Sequence, residues 1–214
     1  MLVIFLGPPG SGKGTQAGIL SRKLGYKHVS TGDLLRQEVQ SKSALGEDLS
    51  KIMGSGGLVP DEIVNSIVKT SLNKPEYESA ILDGYPRTIS QVQYLQDGLR
   101  NDYSVFHFDI DTKKLKARIE ARFNCVKCNH IYNKNSHPPK VQGICDICGG
   151  TEFNIRTDDN AESLLKRVDI YNAEIASILE YYKSLGKLHI IDATLPMEEI
   201  SEQILNHIER STSD

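Results

Sequence analysis

The chain has 214 residues, of which 39% are hydrophobic and 25% charged, and its formal net charge is −3. This length suits one well-buried main domain with a small insertion, and the composition is that of a soluble globular protein. No apolar run approaches the roughly 20 residues that span a bilayer, and the acidic balance disfavours nucleic-acid binding, which depends mainly on neutralising phosphates. The apolar amino terminus lacks a basic leader and a cleavage site, so a cytoplasmic protein is expected.

Short apolar runs of strand length alternate with stretches of helical spacing along the chain. The predicted strands are residues 2–6, 27–29, 80–82, 105–110 and 188–191. This alternation predicts an α/β fold with a mostly parallel sheet that is covered on both faces by helices. In such folds, ligands bind at the carboxyl ends of the strands.

The first predicted strand runs directly into Gly7-Pro-Pro-Gly-Ser-Gly-Lys13-Gly-Thr15, which opens the first helix. In this context the pattern predicts a P-loop, whose backbone N–H groups and helix amino terminus bind phosphates while Lys13 reaches the β and γ phosphates. The general pattern has a hydroxyl residue directly after the lysine, whereas Gly14 intervenes here and Thr15 supplies the hydroxyl. The other loop residues expected to contact a nucleotide are Gly10, Ser11 and Gly12.

Two segments interrupt the alternation of strands and helices. Residues 30–59 have helical spacing broken by glycines, which predicts a small excursion that ends in a mobile turn. These glycines are Gly46, Gly54, Gly56 and Gly57. Residues 122–159 do not continue the alternation of strands and helices and contain too few apolar residues for a core. This segment therefore needs a stabilising cross-link, such as a metal or a disulfide.

Four cysteines within the second segment form two Cys-x₂-Cys pairs separated by sixteen residues. They are Cys125, Cys128, Cys145 and Cys148. This spacing is typical of a tetrahedral four-thiolate zinc site, and four protein ligands leave no position for a substrate, so the metal is predicted to be structural. A disulfide is the main alternative, and it is disfavoured in a cytoplasmic chain. His130 and His137 are alternative ligands, and iron is an alternative metal.

Three further motifs give the sequence a specific resemblance. They are Ser30-Thr-Gly-Asp-Leu-Leu-Arg36, Gly57-Leu-Val-Pro-Asp-Glu62 and Asp83-Gly-Tyr-Pro-Arg-Thr88 followed by Gln91. In order and spacing they resemble the adenylate kinase family, some members of which have a zinc-bearing lid, and the resemblance runs from Leu2 to about Ile208. It implies a P-loop NTPase fold with a central five-stranded parallel sheet and the reversible, Mg²⁺-dependent reaction of ATP and AMP to give two ADP.

The resemblance also implies a domain organisation. Residues 1–29, 60–121 and 160–214 would form the core, residues 30–59 a helical AMP-binding subdomain, and residues 122–159 a lid with a zinc ribbon. The implied partners are ATP, AMP and ADP, without nucleic acid or membrane, and the implied oligomeric state is a monomer.

A phosphate acceptor needs planar, permanently charged donors, and Arg36 and Arg87 each leave a loop beside a predicted strand end. By resemblance, both bind the AMP phosphate, and the Gln91 amide matches the donor and acceptor edge of adenine. The implied AMP-binding residues are Thr31, Arg36, Gly57, Leu58, Val59, Gly84, Tyr85, Pro86, Arg87, Gln91, Arg156 and Arg167. The implied ATP-binding residues are Gly10, Ser11, Gly12, Lys13, Gly14, Thr15, Arg118, Arg122 and Leu195. The implied catalytic residues are Lys13, Arg87, Arg122, Arg156 and Arg167.

Two carboxylates are candidates for the magnesium shell. Asp83 ends a strand beside the P-loop strand, so it can hold a water of the Mg²⁺ shell. Asp33 is the second candidate, with a helix cap as its alternative role. Asp158 and Asp159 are expected to pair with lid arginines or to brace the hinge.

The sequence departs from the family pattern at four positions. Ala121 and Phe123 flank Arg122 where the family has Gly-Arg-Arg, Ala193 replaces a glycine, and Tyr85 replaces a phenylalanine. One flexible glycine and one cation of the family's lid are therefore missing from this chain.

Three other functions are compatible with parts of the sequence. A kinase for another monophosphate, or one with GTP as donor, is disfavoured by Gln91. A zinc-ribbon nucleic-acid module on an ATPase base is disfavoured by the acidic balance. A non-catalytic nucleotide-binding protein is disfavoured by the intact Lys13 and the arginine set.

Overall fold

A computed structural model describes residues 1–41, 43–98, 102–155 and 161–211. Its strands are β1 (Leu2–Leu6), β2 (Lys27–Ser30), β3 (Ala80–Asp83), β4 (Tyr103–Asp109), β5 (Arg122–Cys125), β6 (Ile131–Asn133), β7 (Phe153–Asn154) and β8 (Leu188–Asp192). Its α-helices are α1 (Lys13–Leu24), α2 (Thr31–Gln40), α3 (Ala44–Gly54), α4 (Asp61–Leu72), α5 (Ile89–Gly98), α6 (Thr112–Glu120), α7 (Ala161–Ser184) and α8 (Met197–Ser211). A short 3₁₀ helix spans Pro75–Tyr77.

The main sheet has five parallel strands in the order β2-β3-β1-β4-β8. At its centre, Val3 of β1 is in register with Ile81 of β3 and Ser104 of β4. The five strands predicted from the sequence are the five strands of this sheet, with bounds that differ by at most two residues. The predicted P-loop NTPase architecture, a five-stranded parallel sheet flanked by helices, is therefore confirmed.

The central strand is buried on both faces because helices cover each side of the sheet. Leu2, Ile4 and Leu6 face one cluster, which α4, α5 and α7 complete, and Val3 and Phe5 face the other, which α1 and α8 complete. All five side chains are at most 3% exposed. Each such burial contributes about 1.5–3 kcal/mol relative to an exposed side chain, which explains why the strand reads as a continuous apolar run.

Helix α8 covers its face of the sheet with a stripe of isoleucines. Ile200, Ile204 and Ile208 recur every four residues, so they lie on one side of the helix. Each is at most 5% exposed and packs in the cluster of Val3 and Phe5. The apolar stripe predicted for the last helix is confirmed.

Residues 30–59 contain α2 and α3, which pack against each other. The prediction that Gly46 breaks this segment is wrong, because Gly46 lies inside α3 and is buried. A Cβ atom there would lie 2.5 Å from the backbone oxygen of Glu38 in α2. Gly46 is thus a point of close helix approach, and the turn comes later, where Gly56 has a φ of 72°.

The segment after α6 folds into a separate antiparallel sheet in the order β6-β5-β7. The apolar residues in its centre form a small cluster in which Cys125, Tyr132 and Cys145 are buried, with Phe123 and Phe153 packed around them. A core of this size is too small for independent stability, as expected of a segment that needs a stabilising cross-link.

Candidate functional site

The loop between β1 and α1 has the backbone that a phosphate loop requires. Gly10 and Gly12 have φ angles of 84° and 102°, in the left-handed region that side chains other than glycine rarely adopt. Gly12 is the N-cap of α1 and offers no capping side chain. The first N–H groups of α1 therefore remain directed at the loop, where the helix dipole favours an anion.

Lys13 folds back over this loop. Its Nζ donates to the carbonyl oxygens of Gly7 at 2.7 Å and Pro8 at 2.9 Å and to Ser11 Oγ at 3.3 Å. Burial lowers the pKa of Lys13 to about 8, although the charge of Asp83 opposes this shift. A phosphate chain in the loop would offer the ammonium group a stronger, charged acceptor.

Asp83 ends β3 next to the P-loop, as predicted. Burial alone would raise the pKa of this carboxyl group, but a hydrogen bond with His28 and the charge of Lys13 lower the pKa to about 2. The distance from His28 Nε2 to Asp83 Oδ2 is 3.4 Å. A buried, ionised carboxylate beside a phosphate loop is a suitable acceptor for a water molecule of a Mg²⁺ shell.

At the start of α2, Ser30 caps the helix, and Asp33 pairs with an arginine. Ser30 is the N-cap, and its side chain accepts a hydrogen bond from the backbone N–H of Asp33 at 3.2 Å. The cap alternative for Asp33 is therefore wrong. Its carboxylate forms an ion pair with Arg36, one helical turn later, and this pairing holds the guanidinium at the same end of the helix.

The loop after β3 lies opposite α2. Thr31 Oγ1 donates to the carbonyl oxygens of Gly84 at 3.0 Å and Asp83 at 3.2 Å. Arg87 folds back over the loop, with its Nε donating to the same Gly84 oxygen at 2.8 Å. Gly84 has a φ of 82°, and a Cβ atom there would lie 2.9 Å from Thr31 Oγ1, so this close approach requires glycine.

These parts surround a single cavity of about 870 Å³ at the carboxyl ends of the strands. The predicted site residues that line it are Gly10, Ser11, Gly12, Lys13, Gly14, Thr15, Thr31, Asp33, Arg36, Gly57, Leu58, Val59, Asp83, Gly84, Pro86, Arg87, Gln91, Arg118, Arg122, Arg167 and Leu195. Arg156, Asp158 and Asp159 lie outside the described residues. The predicted ATP-binding and AMP-binding sets thus border one continuous space.

Tyr85 is the exception among the described site residues. Its side chain is fully buried in the core and does not belong to the cavity lining. Its hydroxyl group donates to Asn65 Oδ1 at 2.6 Å and to the backbone oxygen of Gln91 at 3.2 Å. The prediction that Tyr85 belongs to the AMP site stays a prediction, and its side chain packs in the core between two residues, Gly84 and Pro86, that line the cavity.

Arg118 connects the P-loop to the loop after β8. Its guanidinium donates to the backbone oxygens of Ala193 at 2.8 Å and Ser11 at 3.4 Å. Burial lowers the pKa of Arg118 from its ordinary value, yet a guanidinium stays charged at neutral pH. The side chain therefore holds positive charge beside the phosphate loop.

The four cysteines converge in the small sheet. Their Sγ atoms all lie within 4.8 Å of one another, and the thiols are free. Cys125 and Cys148 are 3.6 Å apart and Cys128 and Cys145 3.5 Å apart, which exceeds the roughly 2.05 Å of a disulfide bond. Zn–S bonds of about 2.3 Å in a tetrahedron imply sulfur separations of about 3.8 Å, so the four thiols fit a zinc ion.

The backbone has the same hydrogen bond and a residue with positive φ at each of the two cysteine pairs. The N–H group of Asn129 donates to the Cys125 oxygen and that of Gly149 to the Cys145 oxygen, both at 2.9 Å. Asn129 and Gly149 have φ angles of 57° and 68°. The Tyr132 hydroxyl also donates to Cys145 Sγ at 3.4 Å. Such outer contacts orient thiolate ligands in metal sites.

Comparison with known proteins agrees with this geometry. The family model described as adenylate kinase matches residues 5–187. The chain belongs to the adenylate kinase family. It is 42% identical over 216 residues to an adenylate kinase of Thermosipho africanus, with 98% of this chain and 100% of the relative covered. It is 42% identical to one of Orientia tsutsugamushi and 37% identical to one of Rickettsia rickettsii, each over 205 residues that cover 95% of this chain and 97% of the relative.

Phe123, which departs from the adenylate kinase pattern, has a structural role in the small sheet. Its ring packs against Tyr132 at 5.6 Å and Phe153 at 5.5 Å between centroids, and it is not part of the cavity lining. The position that carries a cation in the family pattern thus contributes here to the core of the small sheet. Arg122, its neighbour, still lines the cavity.

Several residues that line the cavity could not be predicted from the sequence. His137, considered only as an alternative metal ligand, lines the cavity together with Asn135 and Ser136, and Tyr171 of α7 does so from the other side. Polar residues of an irregular loop have no periodicity from which their direction could be inferred.

Within the described ranges, no helix combines the length and hydropathy of a membrane span.

Proposed function

We propose that this member of the adenylate kinase family catalyses ATP + AMP = 2 ADP, with ATP on the P-loop side of the cavity and AMP on the α2 side. The observation that carries the proposal is the single 870 Å³ cavity, because it joins a phosphate loop to a second cluster of guanidinium groups. Two nucleotides whose phosphates meet end to end need such a continuous, positively charged space.

On the donor side, the loop N–H groups and Lys13 bind the β and γ phosphates. Lys13 then exchanges its present carbonyl acceptors for phosphate oxygens. Arg118 and Arg122 add charge from the lid side, and Leu195 contacts the base. These contacts neutralise the phosphate chain without forming a covalent bond to the protein.

On the acceptor side, Arg36 and Arg87 bind the AMP phosphate. The backbone of residues 57–59 and Gly84, together with Thr31 and Pro86, completes the pocket around the ribose and base. Gln91 presents its amide to the Watson–Crick edge of adenine. Arg167, which also lines the cavity, and Arg156, which lies outside the described residues, are assigned to the phosphates.

The transfer is an in-line displacement in which an AMP phosphate oxygen attacks the γ phosphorus of ATP. The acceptor oxygen is already ionised, so no general base is needed. Asp83, with Asp33 as the second candidate, would hold a water of the Mg²⁺ shell, and the bound ion would neutralise charge on the ATP phosphates. Four arginines stabilise charge on the equatorial oxygens: Arg87, Arg122, Arg156 and Arg167. Closure of the lid and of the AMP-binding subdomain excludes water.

We further propose that the domain boundaries follow the family: core residues 1–29, 60–121 and 160–214, an AMP subdomain at 30–59 and a lid at 122–159. The four cysteines hold a structural zinc that folds the lid. The four converging Sγ atoms support this role. We also propose a cytoplasmic location, where paired cysteines are more often metal ligands than disulfides. A monomer is proposed, to be checked by light scattering.

The test is ADP formation from ATP and Mg²⁺ with AMP, CMP, UMP or GMP as acceptor. The rate of ADP formation is expected to be much higher with AMP than with the other acceptors. Absence of ADP formation with AMP would refute the proposal. Lys13→Met should lower the rate by about 100-fold or more, because a preorganised charged donor is lost. Lys23→Met, an exposed change in the last turn of the same helix, is the control and should keep the wild-type rate.

A further inference from the structure

The first residue of α4, Asp61, lies directly behind the Gln91 side chain. Its Oδ1 accepts a hydrogen bond from Gln91 Nε2 at 2.7 Å, and its Oδ2 accepts one from the Thr88 hydroxyl group at 2.7 Å. Gln91 is only 1% exposed and lines the cavity. The sequence alone indicates no site role for Asp61, because an acidic residue in the first turn of a helix is expected on electrostatic grounds.

A second contact fixes the other end of the same amide. The backbone N–H of Arg87 donates to Gln91 Oε1 at 2.7 Å. A carboxylate can only accept hydrogen bonds and a backbone N–H can only donate. Rotating the Gln91 amide by half a turn would set its oxygen against the Asp61 carboxylate and its NH₂ group against the Arg87 N–H. The protein therefore determines the orientation of the amide.

This orientation has a consequence for the base in the cavity. A primary amide has two N–H donors and an oxygen with two lone pairs, and the contacts with Asp61 and Arg87 use one of each. The remaining N–H suits an acceptor on the base and the remaining lone pair suits a donor. The Watson–Crick edge of a 6-aminopurine presents this pair, with N1 accepting and N6 donating. A 6-oxopurine presents the inverse pair, with O6 accepting and N1–H donating.

We propose that Asp61 is a positioning residue that makes Gln91 select 6-aminopurine over 6-oxopurine nucleoside monophosphates. The inference rests on the proposed AMP site. Asp61 does not touch the base; it excludes the alternative amide orientation by charge. Loss of that charge removes one of the two contacts that oppose the turned amide and leaves only the Arg87 N–H. The preference between the two base classes therefore falls even if the pocket keeps its shape.

The experiment measures kcat/KM for AMP and for IMP, which differ in the hydrogen-bonding pattern at N1 and position 6, on one preparation of each variant. Asp61→Asn keeps the size of the side chain and supplies both a donor and an acceptor. We expect it to lower the AMP-to-IMP ratio about tenfold, as for the loss of one hydrogen bond to a charged group. The change in the AMP-to-IMP ratio should come mainly from the KM values and not from kcat. Any unfolded fraction cancels in the ratio, so a purely structural effect leaves it unchanged.

Glu62→Gln is the matched control. Glu62 is exposed in the same helical turn, so its substitution removes the same charge without the contact to Gln91, and the wild-type ratio should persist. Asp61→Ser is the second variant if Asp61→Asn fails to fold. An unchanged ratio in the Asp61 variants, an equal loss in Glu62→Gln, or a wild-type enzyme that uses IMP as well as AMP would overturn the inference. If the wild type makes no ADP from AMP, the proposed function itself fails.

Discussion

Two buried tyrosines make a matched test of what hydrogen bonds contribute to this fold. Tyr85 and Tyr182 are both 0% exposed and belong to the same core cluster. The Tyr85 hydroxyl group donates to Asn65 Oδ1 at 2.6 Å and to the Gln91 backbone oxygen at 3.2 Å. The Tyr182 hydroxyl has no hydrogen-bond partner among the described residues. Replacing each tyrosine by phenylalanine removes one hydroxyl group from the same core. The hydroxyl group is hydrogen-bonded in Tyr85, whereas it has no partner among the described residues in Tyr182.

The expected changes in the free energy of unfolding differ in sign or size. Tyr85→Phe leaves the Asn65 oxygen without its donor in a site that is only 9% exposed, which costs about 1–3 kcal/mol. Tyr182→Phe removes a hydroxyl group that is desolvated without compensation, so it is expected to be neutral or to stabilise by up to about 2 kcal/mol. For a chain of this length, 1 kcal/mol corresponds to about 2–4 °C in Tm.

The assay is thermal and urea unfolding of the two variants beside the wild type, with ADP formation at 25 °C as a check on the site. Tyr85→Phe should melt at least about 2–4 °C below Tyr182→Phe, and its turnover should stay near that of the wild type because the ring remains. Equal shifts in both variants, or a larger loss in Tyr182→Phe, would refute the reasoning from hydrogen-bond satisfaction.

Two further predictions concern the lid metal and the contact between α2 and α3. Removing the metal with a chelator, or by Cys145→Ser, should lower Tm because a closed four-thiolate site contributes folding energy. His137→Ala is the control and should keep the metal content. An unchanged Tm with the metal demonstrably removed would contradict a structural zinc. Gly46→Ala should destabilise by about 1–3 kcal/mol, since its Cβ atom would lie 2.5 Å from the Glu38 oxygen. Gly54→Ala, whose Cβ atom meets nothing within 4 Å, should be neutral or slightly stabilising by urea unfolding, and equal losses in both would count against the contact.

The strands, the phosphate loop and the cysteine pairs could be predicted from the amino-acid sequence alone. The strand 2–6 could be predicted because a strand buried on both faces must be apolar throughout. The loop from Gly7 to Thr15 could be predicted because its glycines, lysine and following helix are contiguous. The pairs around Cys125 and Cys145 have a spacing that few structures other than a metal site require. Each of these features is encoded within a few neighbouring residues.

The hydrogen-bonding and packing partners of the side chains in and around the site depend on how distant elements pack against each other. Tyr85 lies in the middle of a nucleotide-binding motif, yet its ring turns into the core because α4 offers Asn65 as an acceptor. Phe123 joins the aromatic core of the small sheet because β6 and β7 flank it. Asp61 meets Gln91 across thirty positions of sequence. Such contacts depend on how separate elements pack, and short-range periodicity carries no information about packing between elements distant in sequence.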